Sequence, residues 1–150
     1  MNARDVMTKG VLTVGPETPT RKVAKLLLEK GISAVPVVDA DGVPVGMVSE
    51  GDLIGRDVNA REARRDWWLE MLAEGAGLAQ EFLDHVKAAD RPVREVMVAP
   101  VITVGEGTPV QAIAELLETR RIKRVPVVRQ GRIVGVVSRA DLIRALARTP

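Results

Sequence analysis

The chain contains no cysteine, no tyrosine and a single histidine, and aromatic residues supply only 2% of its 150 positions. Each shortage closes off a chemistry. Without cysteine there are no disulfides, thiol nucleophiles or thiolate metal sites. With His85 as the sole histidine, no multi-histidine metal centre can form within one chain. With so few rings, a core must be built from Val, Leu, Ile, Ala and Met, which the 46% of hydrophobic residues can supply. No apolar run approaches the roughly 20 residues needed to cross a bilayer, so no membrane association is expected. The residues Met1-Asn2-Ala3-Arg4-Asp5 lack the apolar centre of a signal peptide, and a cytoplasmic location is expected. An excess of one charge sign is also missing, because 22 basic side chains face 20 acidic ones. The isoelectric point near 9.3 therefore rests on a small surplus. That argues against a nucleic-acid partner, which calls for a clustered basic face.

What is present is a duplication. Residues 4–39 match 94–129 at 17 of 36 positions, and residues 42–54 match 131–143 at 8 of 13. Chance would give roughly one match in twenty on background composition. The chain divides accordingly into a first copy over 1–55, an unpaired stretch over 56–92 and a second copy over 93–150.

Each copy has the pattern strand, helix, strand, strand, helix, an α+β arrangement. The short β-rich runs 11–14 and 101–104 come first. Thr18-Pro19 and Thr108-Pro109 then announce a helix, with Thr as N-cap and Pro at the first helical position. Gln111 completes a capping box with Thr108. Val23, Leu26 and Leu27 share one helical face, as do Ile113, Leu116 and Leu117. Gly31 suits a C-terminal cap. Strands follow over 32–38 and 122–128; Pro36 and Pro126 within them predict edge strands or a lost ladder bond. Turns at Asp39-Ala40-Asp41-Gly42 and Arg129-Gln130-Gly131 lead into returning strands over 43–48 and 132–137. A short amphipathic helix closes each copy, from about Asp52 and from about Asp141. One such unit cannot bury its apolar face alone, so the two copies are expected to pack together. The unpaired stretch reads as two helices over 60–74 and 78–87, broken by Gly75-Ala76-Gly77. It carries Trp67, Trp68 and Phe82, all the aromatic residues of the chain.

Ser49-x-x-Asp52 and Ser138-x-x-Asp141 are ordinary helix-start signatures. A helix N-terminus is also a natural place for a phosphate, so a structural and a binding role are compatible there. Asp can accept both hydroxyls of a ribose, and Ser can donate to ribose or phosphate. The glycines before these motifs, Gly46 and Gly135, would let backbone approach a ligand closely. The basic run 120–124 has three readings: a solvated helix end, a ligand-phosphate contact at Lys123 or Arg124, and nucleic-acid binding, last because no aromatic platform accompanies it.

The order of elements and the twice-occurring Gly-hydrophobic-hydrophobic-Ser-x-x-Asp resemble a tandem CBS-domain pair, named for cystathionine β-synthase. Asp5-Val6-Met7-Thr8, Glu95-Val96-Met97, Val35-Pro36-Val37-Val38 and Val125-Pro126-Val127-Val128 add to the likeness. The resemblance implies two repeats packed by pseudo-twofold symmetry and a homodimer. It also implies two clefts for a regulatory ligand: AMP, ADP, ATP or S-adenosylmethionine. Carried over, a first cleft would use Thr8, Leu12, Ile32, Ser33, Ala34, Arg124, Ser138 and Asp141. The second would use Ser49, Asp52, Val101, Ile102, Ile122 and Lys123. Val98 departs from the pattern where the first copy has Thr8, and Glu50 adds negative charge beside Ser49, so the first cleft is favoured.

No enzyme is expected. Cysteine is missing, His85 lies outside the repeats, and Asp52 and Asp141 belong to opposite clefts, so they would not form a dyad. The resemblance points to a free-standing sensor that signals to a regulated protein on another chain, which the sequence does not identify. The alternative is a ligand-free dimerisation or interaction scaffold using the Trp-bearing insert, since Trp is enriched at interface hot spots.

Overall fold

The structure, a computed structural model, describes residues 1–54 and 90–149. The two helices expected over 60–74 and 78–87, with Trp67, Trp68, Phe82 and His85, lie outside the described residues. In chain order the elements are α1 (Ala3–Val6), α2 (Thr20–Lys30), β1 (Ala34–Val38), β2 (Pro44–Ser49) and α3 (Glu50–Ile54), then a 3-10 turn over Val93–Glu95. After the turn come β3 (Val104–Gly105), α4 (Val110–Thr119), β4 (Arg124–Arg129), β5 (Arg132–Ser138) and α5 (Arg139–Arg148).

These elements form two compact units whose boundaries cut across the sequence copies. One unit comprises Met1–Thr13, Val38–Val45 and the chain from Pro100 onward; the other comprises Val14–Val37 and Gly46–Ala99. The leading segment of each copy is thus built into the unit that holds the other copy's closing helix.

In the first unit, β3, β4 and β5 form one sheet in that order. β3 runs parallel to β4, with Val104 beside Val127, and β5 runs antiparallel to β4, with Val125 beside Val137. Three consecutive residues of β4, Val125, Pro126 and Val127, are buried. Such an uninterrupted apolar run marks a strand covered on both faces. Helix α4 turns Ile113 and Leu117, one turn apart, onto Val104, Val125, Val127 and Val137. Ala3 from α1 completes this core, with Val6 and Met7 packed beside it. The leading segment is held by backbone as well: Ala3 N–H donates to Thr108 O at 2.8 Å and Val110 N–H to Met1 O at 3.1 Å. Thr8 and Val136 exchange both backbone hydrogen bonds, at 2.9 and 3.1 Å.

The second unit repeats the scheme. Val23 and Leu27 of α2 are buried, as are Val35, Val37, Val48, Val93 and Val96. Val14 makes a parallel bridge to Val37, with its N–H donating to Pro36 O at 3.1 Å. Met47 and Val98 exchange backbone hydrogen bonds at 3.0 and 2.8 Å, the counterpart of the Thr8–Val136 bridge.

Four sequence expectations are corrected. The first strands shrink to the single bridge at Val14 and to Val104–Gly105. β4 is central rather than an edge, so of the two expectations for Pro126 the missing ladder bond is the one that holds: β3 pairs only with Val127 and Val128. Thr18 and Thr108 are not N-caps: Pro19 and Pro109 hold those positions, without a side-chain cap bond. Thr108 Oγ1 instead accepts from Gly105 N–H at 3.1 Å, so the capping box with Gln111 does not form. Lastly, the closing helices begin at Glu50 and Arg139, ahead of their aspartates.

The helix N-termini are capped from afar instead. Thr20 N–H donates to Arg91 O at 2.8 Å, and Asp90 Oδ1 accepts from Arg21 N–H at 3.0 Å and Thr20 Oγ1 at 3.2 Å. At the other end of α2, Gly31 takes the left-handed conformation at φ 62°. The matching place after α4 is held by Arg121, at φ 53° despite its side chain.

Candidate functional site

Helix α5 starts where β5 ends, and Ser138 is its N-cap. Ser138 Oγ accepts from Asp141 N–H, and Asp141 Oδ2 accepts from Ser138 N–H at 2.9 Å and from Ser138 Oγ at 3.1 Å. This reciprocal box satisfies helix-end amides that would otherwise lack partners. It also fixes the carboxylate, because one oxygen is committed to its own cap.

The other oxygen faces outward from that box. Asp141 Oδ1 accepts from Thr8 Oγ1 at 3.3 Å and from Arg144 Nη1 at 3.2 Å. Thr8 is 133 residues distant in sequence and arrives through the Thr8–Val136 bridge. Asp141 itself is only 5% exposed. Arg124 begins β4 directly opposite Ser138, so its backbone borders the same spot. Thr8, Arg124, Ser138 and Asp141 therefore share one neighbourhood. Leu12 belongs to the same unit and is exposed.

Ile32, Ser33 and Ala34 lie in the other unit, at the junction between α2 and β1. Ile32 is half-buried and Ser33 exposed, and the Ser33 carbonyl accepts from Glu50 N–H at 3.0 Å. The matching junction in the first unit holds Ile122 and Lys123, where the Lys123 carbonyl accepts from Arg139 N–H at 3.2 Å. Val101 and Ile102 are half-buried just ahead of β3.

Ser49 and Asp52 reproduce the box of Ser138 and Asp141. Asp52 Oδ2 accepts from Ser49 N–H at 2.9 Å and from Ser49 Oγ at 3.0 Å. The likeness stops at the second oxygen. The residue bridged to this strand is Val98, which has no hydroxyl to donate, and Asp52 is half-buried where Asp141 is buried.

Gly46 and Gly135 make room for the leading segments. A Cβ at Gly135 would run into Met7 and come within 3.0 Å of Thr8 O. At Gly46 it would run into Met97 and come within 3.1 Å of Val98 O. The close approach these glycines permit is that of the leading segment, which delivers Thr8 to Asp141 in one unit and Val98 in the other.

Sequence reasoning missed the Arg144 contact, although a basic residue three positions after an acid on a helix is a readable pairing. It also missed the Met-over-Gly contacts, whose signal was that Met7 and Met97 recur with Gly135 and Gly46. A separate apolar groove of about 840 Å³ lies between α4 and α5, lined by Met1, Val110, Leu117, Leu142, Ile143 and Leu146 among others. Among the described residues no helix is long and apolar enough to cross a membrane.

The duplicated sheet-and-helix units, each closed by a Ser-x-x-Asp box against the other copy's leading segment, define a paired-repeat α+β protein. A family model for the CBS domain matches residues 3–59 and 93–148, and the chain belongs to the CBS-domain family. Solved structures agree. The CBS domain of a CBS-domain-containing membrane protein from Sphaerobacter thermophilus has a TM-score of 0.72 and 31% identity, covering 96% of this chain and 86% of that one. CBSX2 of Arabidopsis thaliana in complex with AMP has a TM-score of 0.71 and 23% identity, over 98% of this chain and 96% of that one. The CBS domain pair of protein MJ0100, in complex with 5′-methylthioadenosine and S-adenosylmethionine, has a TM-score of 0.69 and 24% identity over the same shares. At these identities the last two establish the fold alone.

Proposed function

We propose that this protein is a regulatory module that binds an adenosine compound, AMP, ADP, ATP or S-adenosylmethionine, at the site built on Asp141. The observation that carries this reading is the division of labour within that carboxylate. Oδ2 is held by the helix cap, while Oδ1 meets a Thr hydroxyl and an Arg side chain that is 61% exposed, partners that can exchange for a ribose hydroxyl. Thr8, Leu12, Arg124, Ser138 and Asp141 make up the proposed contacts within this unit, and Ile32, Ser33 and Ala34 are proposed contacts on the family resemblance alone. Two relatives of the same fold hold adenosine compounds, which supports this choice of ligand class. A second site on Ser49 and Asp52, with Val101, Ile102, Ile122 and Lys123 proposed on the family resemblance alone, is weaker in this reading, because Val98 replaces Thr8 and Glu50 brings negative charge beside Ser49.

The module acts as a sensor rather than an enzyme. Ligand binding shifts the arrangement of the repeats or of a homodimer, and a regulated protein on another chain reads the change. The apolar groove between α4 and α5, with Ile143 and Leu146 exposed at its edge, supports a homodimer. A thermal-shift screen against AMP, ADP, ATP and S-adenosylmethionine tests the ligand class. A ligand at about 100 times its Kd stabilises the folded chain by about 2.7 kcal/mol. A melting temperature unmoved by all four at millimolar concentration contradicts the reading.

A further inference from the structure

We propose that Arg144 selects for ligands carrying an anionic tail at the Asp141 site, so that an adenosine phosphate is preferred over adenosine itself. The inference rests on the adenosine reading above and adds a residue that the family motif does not contain. Ser138, Thr8 and Arg144 all donate to Asp141. The contacts on Oδ2 come from Ser138 and belong to the helix cap, whereas the two on Oδ1 come from Thr8 and Arg144. A ribose hydroxyl that docks on this carboxylate therefore takes Oδ1 and displaces one of those two donors.

The two differ in what displacement leaves behind. The Thr8 hydroxyl rotates about one bond and can donate elsewhere. The Arg144 guanidinium carries a permanent charge and a planar fork of donors, matched to phosphate or carboxylate. Its side chain is 61% exposed while that of Asp141 is 4% exposed, so Arg144 can swing away without unpacking anything. It stays one helical turn from the carboxylate it has left, because its backbone is three residues along the same helix. With adenosine bound, the displaced cation gains no new partner. With AMP bound, it exchanges one anion for another.

The two copies also differ here. The position aligned with Arg144 in the first copy is Gly55, which has no charge to offer. Preference for the anionic ligand is thus a property of the Asp141 site and not of the motif that both copies share.

A unit charge acting over roughly 6–8 Å through a largely aqueous path alters the binding of one negative charge by about two- to threefold. Calorimetric titration of the full chain with AMP and with adenosine, for wild type, Arg144→Gln and Arg144→Lys, reads this as a ratio of affinities. Arg144→Gln is expected to lower the AMP-to-adenosine ratio by about two- to threefold, with adenosine binding equal to or tighter than wild type. Arg144→Lys, which keeps the charge, is expected to recover most of the ratio. Circular dichroism confirms that each variant is folded. An unchanged ratio in Arg144→Gln, or equal weakening of both ligands, overturns the assignment and makes Arg144 a positioning residue at most. Failure of wild type to bind either ligand is a different outcome: it removes the adenosine site itself, and this inference with it.

Discussion

Replacing Gly135 by alanine tests how the leading segment is locked onto the site. Glycine inside a strand normally costs stability, so alanine there should help by about 0.5–1 kcal/mol if nothing stood in the way. Here something does. The new methyl would run into Met7 and lie 3.0 Å from Thr8 O. Met7 can change rotamer, but the Thr8 carbonyl cannot easily retreat, because Thr8 and Val136 are joined by two backbone hydrogen bonds. Forcing a methyl into a packed contact of this kind costs about 1–3 kcal/mol, which outweighs the entropic gain. The expected net effect is a loss of about 1–2 kcal/mol, or about 3–6 °C in Tm for a domain of this size. Urea unfolding of wild type, Gly135→Ala, Met7→Ala and the double variant measures it. Because Met7→Ala removes part of the clash, the double variant should be more stable than the sum of the singles, by at least about 0.5 kcal/mol. A Gly135→Ala chain as stable as wild type, or more so, would refute the lock.

Other consequences follow from the same contacts. Asp90→Ala removes the acceptor at the N-terminus of α2 and should cost about 0.5–2 kcal/mol in denaturant unfolding, as N-cap losses do; a neutral result would mean that water replaces it fully. Arg121→Gly places the permissive residue at a left-handed position that the first copy already gives to Gly31, and should raise stability by up to about 1 kcal/mol. The Arg129 side chain hydrogen-bonds Glu106 at 2.6 Å and holds its carboxyl below the usual carboxylate value of 4.5. A depressed folded-state pKa means that the pair contributes above the unfolded pKa and is lost as pH falls through the lower folded value. Glu106→Gln should therefore lower Tm at neutral pH and converge on wild type as pH falls through the acid range, and a difference that persists undiminished in acid would contradict the pairing.

Much of the fold is legible in the sequence because the relevant forces are local. The i, i+4 pairs Val23/Leu27 and Ile113/Leu117 face the cores as their spacing requires. Gly31, Gly42 and Gly131 stand at positive φ where the copies turn. The Ser-x-x-Asp boxes close as helix starts. What was misread depended on partners far away in the chain. Thr18 and Thr108 have the composition of N-caps, but Arg91 and Met1 supply the carbonyls, so the local rule lost to a tertiary contact. Pro126 reads as an edge residue or a lost ladder bond, and only the short length of β3, which the sequence does not show, decides for the second. The glycines of the motif also make room for the leading segment, a need that their place in the sequence does not reveal. Of the site, Asp141, Ser138 and Thr8 were named from the motif, and the structure joins them through hydrogen bonds. Arg144 was not named, although its place three residues after Asp141 on one helix made the pairing readable.

The central claim is that Asp141 is the residue through which an adenosine ligand is held. Titration calorimetry of the wild-type chain and Asp141→Ala with AMP tests it most directly. The variant gives up a helix-cap acceptor worth about 0.5–2 kcal/mol, so its folding is verified by circular dichroism at the titration temperature. Saturable binding to wild type, weakened at least tenfold in folded Asp141→Ala while Asp52→Ala retains it, is the predicted result. Equal AMP affinity in wild type and Asp141→Ala, or no binding by wild type, would contradict the account.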